Sequence, residues 1–185
     1  ERIAAIARPD AVILAQGRFR EQVADITGGA LTGYFRTVKG QVRYFEDNPD
    51  ALGVWSGWEP NAFDGKDADF VGKPAHDQTG RFVPYIYRAG GTIKTDVLVD
   101  YDKPGTGDYY QLPVKTGKTV LLEPYVYPVD GKDVLMTTIS IPVMENGKAL
   151  GYVGADIDLD KTAADLAAKR PLGDGYVALL SSANA

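Results

Sequence analysis

The sequence predicts an α+β protein: a long N-terminal helical region followed by an antiparallel sheet flanked by helices. Three observations carry that prediction. Apolar residues recur at three- and four-residue intervals ahead of Asn48-Pro49, the spacing of a helix face. Beyond Ala51 the apolar positions instead alternate in short runs rich in β-branched and aromatic residues. Turn residues separate those runs, among them Gly90-Gly91, Gly131-Lys132 and Asn146-Gly147, and Asn-Gly is a strong short hairpin signal.

Taken in order, Glu1 to about Ile26 reads as helix, with a start or kink at Pro9 and a break at Thr27-Gly-Gly29. A second helix is expected from Leu31 to Glu46 on the stripe Leu31, Tyr34, Phe35, Val38, Val42 and Phe45. Asp47-Asn-Pro49 ends it, because the residue before a proline avoids helical backbone angles. Leu52 to Trp58 and Arg81 to Arg88 read as strands on either side of a loop rich in Asp, Gly, Asn and Pro, and Thr95 to Val99 as a brief apolar piece. Asp100 to Gly107 is loop, and Asp108 to Pro113 either a helical turn or extended. Three strands then follow as a meander, Thr119 to Pro128, Val134 to Val143 and Ala149 to Leu159. Asp160 is expected to cap a helix to Lys169, and Tyr176 to Leu180 to open a further strand. The division that follows is 1–47 helical, 48–170 one module, and 171–185 the start of another that this chain mostly lacks.

Composition excludes several functions. There are 25 acidic against 20 basic residues, a formal net charge of −5, which argues against a nucleic-acid-binding surface. No cysteine is present, so thiol catalysis, disulfides and Cys-based zinc sites are out. One histidine, His76, is too few for a His-based zinc site and reads as an exposed loop residue. The serines have only that histidine as a possible base, so no Ser-His-Asp triad is expected. Asp64-Gly-Lys-Asp67 and Asp100-Tyr-Asp102 lack the ligand ladder and closing Glu of a calcium loop and read as surface turns. No run of eighteen apolar residues and no secretory leader is visible, so the chain is expected to be a piece of a longer protein.

Period-two alternation sorts the strand side chains by face. Glu123, Tyr125 and Tyr127 share one face of Thr119 to Tyr127, with apolar Val120, Leu122, Pro124 and Val126 expected to pack on a core. Tyr85 and Tyr87 share a face of their strand, and Tyr152, Gly154 and Asp156 share a face of theirs. If these faces line one cavity, Glu123, Tyr125, Tyr127 and Asp156 form a cage with Trp58, Tyr85, Tyr87 and Tyr110 as further walls. Ring faces attract a cation, by up to about 2 kcal/mol each when desolvated, and a carboxylate supplies the counter-charge. The other reading stays open: Tyr and Trp also cap the solvent side of an antiparallel sheet.

Asn48-Pro-Asp50 leading into a strand, WEPNAFDGKD, GRFVPYIYR, GDYYQLP, LLEPYVYP, a hairpin and GYVGADIDL come in an order that resembles the double-Cache (dCache) sensor domains. These are the extracytoplasmic ligand-binding regions of bacterial methyl-accepting chemotaxis proteins, with relatives in sensor kinases, and the likeness spans about Asp47 to Leu166. It implies a PAS-like membrane-distal module that binds a small molecule, no enzymatic activity, no cofactor and no metal. It also implies a periplasmic location, a membrane-anchored parent protein and a homodimer in the full receptor. Amino-acid sensors of that family hold the ligand carboxylate with the Arg of an Arg-x-Trp-Tyr pattern and the ammonium with a later Asp. Here the stretch reads Val83-Pro-Tyr85-Ile86, so the Arg position is Val83, while the Asp survives as Asp156. That resembles the amine-sensing branch. Tyr127, where polyamine sensors tend to carry a second acid, narrows the expectation to a quaternary ammonium compound such as a betaine or choline.

Overall fold

The computed structural model describes residues 35–168 together with positions 173, 175–177 and 181. The helix expected over Glu1 to Ile26 lies outside the described residues, as do Leu31 to Tyr34 of the second helix and Ala178 to Leu180 of the last strand. The remainder of the second helix is α1, Val38–Asp47, whose start is fixed by Thr37: its Oγ1 accepts from the Gly40 N–H at 2.9 Å.

Among the described residues, seven antiparallel strands form one sheet: β1 (Ala51–Trp58), β2 (Pro84–Ala89), β3 (Thr92–Val97), β4 (Val120–Leu121), β5 (Tyr125–Val129), β6 (Lys132–Glu145) and β7 (Lys148–Asp158). Their order is β3-β2-β1-β7-β6-β4, with β5 also on β6. The first and last long strands, β1 and β7, are therefore central neighbours. Asp130-Gly131 and Asn146-Gly147 both have positive φ at the two central turn positions, the requirement for two-residue hairpins that match strand twist. Helix α2 (Asp108–Thr116) follows the loop after β3, and α3 (Leu159–Ala167) follows β7.

The sheet is covered on both faces. On one, Phe35, Tyr44 and Phe45 of α1 and its approach pack on Val54, Ile86, Ile139, Ile141, Val153 and Ala155. Each buried Val, Ile or Phe there contributes roughly 1.5–3 kcal/mol by leaving water. On the other face, α2 and the loop before it lay Leu98, Tyr109 and Tyr110 over Trp55, Val83 and Tyr152. Pro113 lies inside α2 and has no N–H for the Tyr109 carbonyl one turn back. The Ser140 hydroxyl of β6 donates to that carbonyl instead, at 2.6 Å, which docks α2 on the sheet.

Several expectations are corrected. Thr119 to Pro128 is not one strand: β4 and β5 pair with separate stretches of β6, and Leu122 to Pro124 lies between them. Pro124 carries no N–H to continue a ladder, and the break is held by Leu122, whose N–H donates to Thr138 O and whose carbonyl accepts from the Thr137 hydroxyl. The even positions do not all face a core either, since Val126 is 60% exposed. The strand expected from Arg81 begins at Pro84, with Phe82 making a lone bridge to His76. His76 is half-buried, not exposed, with its ring stacked on Phe70 at 4.8 Å. Asp108 to Pro113 resolves as helix, and of the brief apolar piece Thr95 to Val99 the first three residues end β3 while Leu98 and Val99 lie in the loop beyond it. The cap of α3 is Asp158, not Asp160: its Oδ1 accepts from the Lys161 N–H at 2.9 Å. Tyr176 and Val177 carry no strand.

Candidate functional site

Between the sheet and its α2 side lies a cavity of roughly 330 Å³. That volume includes open solvent at the mouth; the enclosed space that admits a water-sized sphere is about 30 Å³. Its floor comes from β1, β2, β5, β6 and β7 through Trp55, Tyr85, Tyr125, Tyr127, Met136 and Asp156, and its wall from Val97, Leu98, Val99 and Tyr109. Val99 is 51% exposed and marks the mouth.

Glycines on the central strands make room for the rings. A methyl at Gly154 would come within 2.3 Å of the Trp55 indole, and one at Gly53 within 2.6 Å of the Tyr85 ring. Both rings therefore lie flat on bare backbone beside Asp156, which pairs across the sheet with Gly53.

Asp156 is buried and lies on the floor. Burial pushes its carboxyl up to about 6, against the opposing pull of donors on Thr138, Tyr85 and Trp55. The Thr138 hydroxyl donates to Asp156 Oδ1 at 2.6 Å. Its proton being so used, the 2.6 Å contact between Tyr125 and Thr138 has the phenol as donor. Tyr109 likewise commits its proton, to Val99 O at 2.7 Å. Tyr125 and Tyr109 are left as acceptors toward the cavity. The buried Tyr85 hydroxyl lies near enough to Asp156 to favour its charge but completes no hydrogen bond of good geometry. Burial first, and the Asp156 charge after it, hold the Tyr85 and Tyr125 phenols well above their ordinary range, so both stay protonated. Among the described residues, no Lys, Arg or His lines the cavity and none forms an ion pair with Asp156.

Of the residues expected from sequence, Tyr85, Tyr125, Tyr127 and Asp156 meet in this cavity. Four do not line it. Glu123 falls in the break between β4 and β5 and is exposed. Trp58 is buried among Ala75, Phe63 and Phe82 in a separate cluster. Tyr87 stacks against Tyr85 at 5.2 Å and donates to Asp96 at 2.7 Å. Tyr110 donates to Glu59 and accepts from Arg81. Sequence reasoning missed Trp55, Tyr109 and Thr138. For Trp55 the signal was Gly53-x-Trp55-x-Gly57, which puts the indole on the same bare face as two glycines.

Residues 41–164 match the family described as methyl-accepting chemotaxis protein-like, first PDC sensor domain. The chain belongs to that family. It is an extracytoplasmic sensor domain and not an enzyme. It is 34% identical over 151 residues to the methyl-accepting chemotaxis protein TlpQ of Pseudomonas aeruginosa, covering 74% of this chain and 21% of TlpQ. The chain thus spans about a fifth of that relative. Among solved structures, it is similar to the extracellular domain of mmHK1S-Z3, described as a histidine kinase, at 39% identity and a TM-score of 0.62, covering 78% of this chain and 48% of that one. It also resembles a structure named methyl-accepting chemotaxis protein X, at 28% identity and a TM-score of 0.60, covering 90% of this chain and 70% of that one. No described helix is long and apolar enough to cross a membrane.

Proposed function

We propose that this domain senses a small cationic amine, held in the cavity with its positive head against Asp156. The observation that carries the reading is a buried carboxylate facing the rings of Trp55, Tyr85, Tyr109, Tyr125 and Tyr127 with no cationic side chain beside it among the described residues. A charge in that position is costly until a cation meets it. Ring faces favour a poorly hydrated head, and five rings around one acid support a quaternary ammonium compound such as choline or a betaine. Among the described residues no cationic group lines the cavity to take a carboxylate, which counts against an amino acid and ranks choline ahead of a betaine. Binding would bias the module between conformations and pass that bias to a membrane-anchored, dimeric receptor carrying a chemotaxis or kinase output. Residues 48–170 form the binding module in this reading, with a membrane-proximal module starting near 171.

One observation favours a second reading. Tyr125 and Tyr109 have spent their protons and offer acceptors, which suits the N–H groups of a protonated primary amine or polyamine. Calorimetric titration with choline, glycine betaine, putrescine and 3,3-dimethylbutanol separates the cases. The proposal expects choline or betaine to bind and dimethylbutanol, the neutral carbon copy of choline, to fail. Putrescine alone binding would favour the second reading. Equal binding of dimethylbutanol and choline would show that charge is not read and refute both.

A further inference from the structure

Arg81 never touches the cavity, yet three of its contacts converge on the cavity wall. Its Nε donates to Trp58 O at 2.7 Å, which ties the guanidinium to the end of β1. Its terminal nitrogen donates to the Tyr110 hydroxyl at 2.7 Å and lies 3.7 Å from Glu59. The guanidinium carbon lies 4.9 Å from the Tyr101 ring centroid and 5.5 Å from that of Tyr110. Tyr101 and Tyr110 bracket the wall. Tyr101 comes two residues after Val99, and Tyr110 is the next residue after Tyr109.

The rest of this cluster closes the same segment on the sheet. Tyr101 donates to Asp77, Tyr110 donates to Glu59, and Gln111 Nε2 donates to Tyr101 O at 2.7 Å. Leu98 N–H donates to Val83 O at 2.9 Å at the root of the wall. A methyl at Gly57 would meet the Tyr110 ring at 2.6 Å, so this ring too lies on bare β1 backbone. One planar, forked cation joins the end of β1 to both Tyr101 and Tyr110, adding to the Asp77, Gln111 and Ser140 bonds that hold the same segment. Lysine, a point charge on a flexible stem, cannot hold the strand carbonyl, the phenol and two ring faces at once.

Resting on the reading that the cavity holds a cation, we infer that Arg81 is a positioning residue: by bracing Tyr101 and Tyr110 it holds the Leu98–Tyr109 wall over Asp156 and so sets ligand affinity. The wall supplies Tyr109, one of the cavity's rings, and the Val99 mouth. If the wall is docked in only a tenth of molecules, apparent affinity falls about tenfold with no contact to the ligand altered.

The test compares wild type, Arg81→Met, Arg81→Lys and Tyr110→Phe by amide hydrogen exchange without ligand and by calorimetric titration with choline. Exchange over residues 98–112 is expected to speed up about tenfold in Arg81→Met while the β6–β7 hairpin stays protected. Choline affinity falls by about the same factor. Arg81→Lys restores it only in part. Tyr110→Phe, which keeps the ring and the fold, shows the same local pattern to a smaller degree. Unchanged exchange over 98–112 in both Arg81→Met and Tyr110→Phe would overturn the inference. So would faster exchange spread evenly over the sheet with choline affinity intact, the mark of a residue that only stabilises the fold. The exchange arm needs no ligand, so failure of wild type to take up choline counts against the amine reading and leaves Arg81 to be decided by exchange.

Discussion

Replacing Asp156 by Asn should make the protein more stable and unable to bind its ligand. The substitution keeps the side-chain shape, and the amide oxygen can still accept from Thr138, so the change is close to removal of one charge. Burial raises the folded-state carboxyl to about 6, which corresponds to a penalty of about 3 kcal/mol on the charged form. Because the folded-state value is raised, the proton-linked stability of wild type is fully present at acid pH. It is lost as pH climbs from the ordinary aspartate range through about 6. At pH 7.5 Asp156→Asn should therefore exceed wild type by up to ~3 kcal/mol, less what the weaker neutral hydrogen bond from Thr138 gives back. Toward pH 4 the difference should vanish. Affinity for choline should fall at least about thirtyfold, the low end for removing one partner of a buried charge pair. Denaturant unfolding at both pH values and calorimetry at pH 7.5 read the two effects. A variant less stable than wild type at pH 7.5, or one that binds choline as wild type does, would refute the reasoning.

Three further outcomes follow from the same geometry. Choline affinity of wild type should drop about tenfold for each pH unit below about 6, because the cation needs the ionised carboxylate; a flat titration series from pH 7.5 to 5 would contradict this. Gly154→Ala places a methyl 2.3 Å from the rigid Trp55 indole and should cost about 1–3 kcal/mol in denaturant unfolding while weakening ligand binding. Glu123→Gln should leave choline affinity within about twofold in the same calorimetric assay, since Glu123 is exposed and does not line the cavity.

The sheet was legible because its signals are local. Asn146-Gly147 can take the left-handed angles of a tight hairpin, and the alternation from Ala149 to Leu159 leaves little freedom of register. The same alternation put Tyr85, Tyr125, Tyr127 and Asp156 on inward faces, and they meet. Glu123 was lost for a reason alternation cannot see: Pro124 interrupts the ladder, and phase does not carry across a break in a strand. Trp58 and Trp55 both belong to β1, but which lines a cavity depends on what lies over each. Phe63 and Phe82 bury the first, while the neighbouring Gly154 lets the second lie over bare backbone at the cavity floor. Thr138 gave no sign at all, since a β-branched residue in a strand is ordinary until a carboxylate is found across the pair from it. Arg81 read as the first residue of a strand, and its role follows only from the fold of a loop that begins some twenty residues later.

The central claim, that the cavity holds a cation against Asp156, is tested most directly by a crystal structure of the domain grown with choline. The account predicts ligand density with the ammonium head against the Asp156 carboxylate and within about 6 Å of the Trp55, Tyr85 and Tyr125 ring centroids. Choline bound elsewhere, or bound with its hydroxyl toward Asp156 and its head at the Val99 mouth, would contradict it.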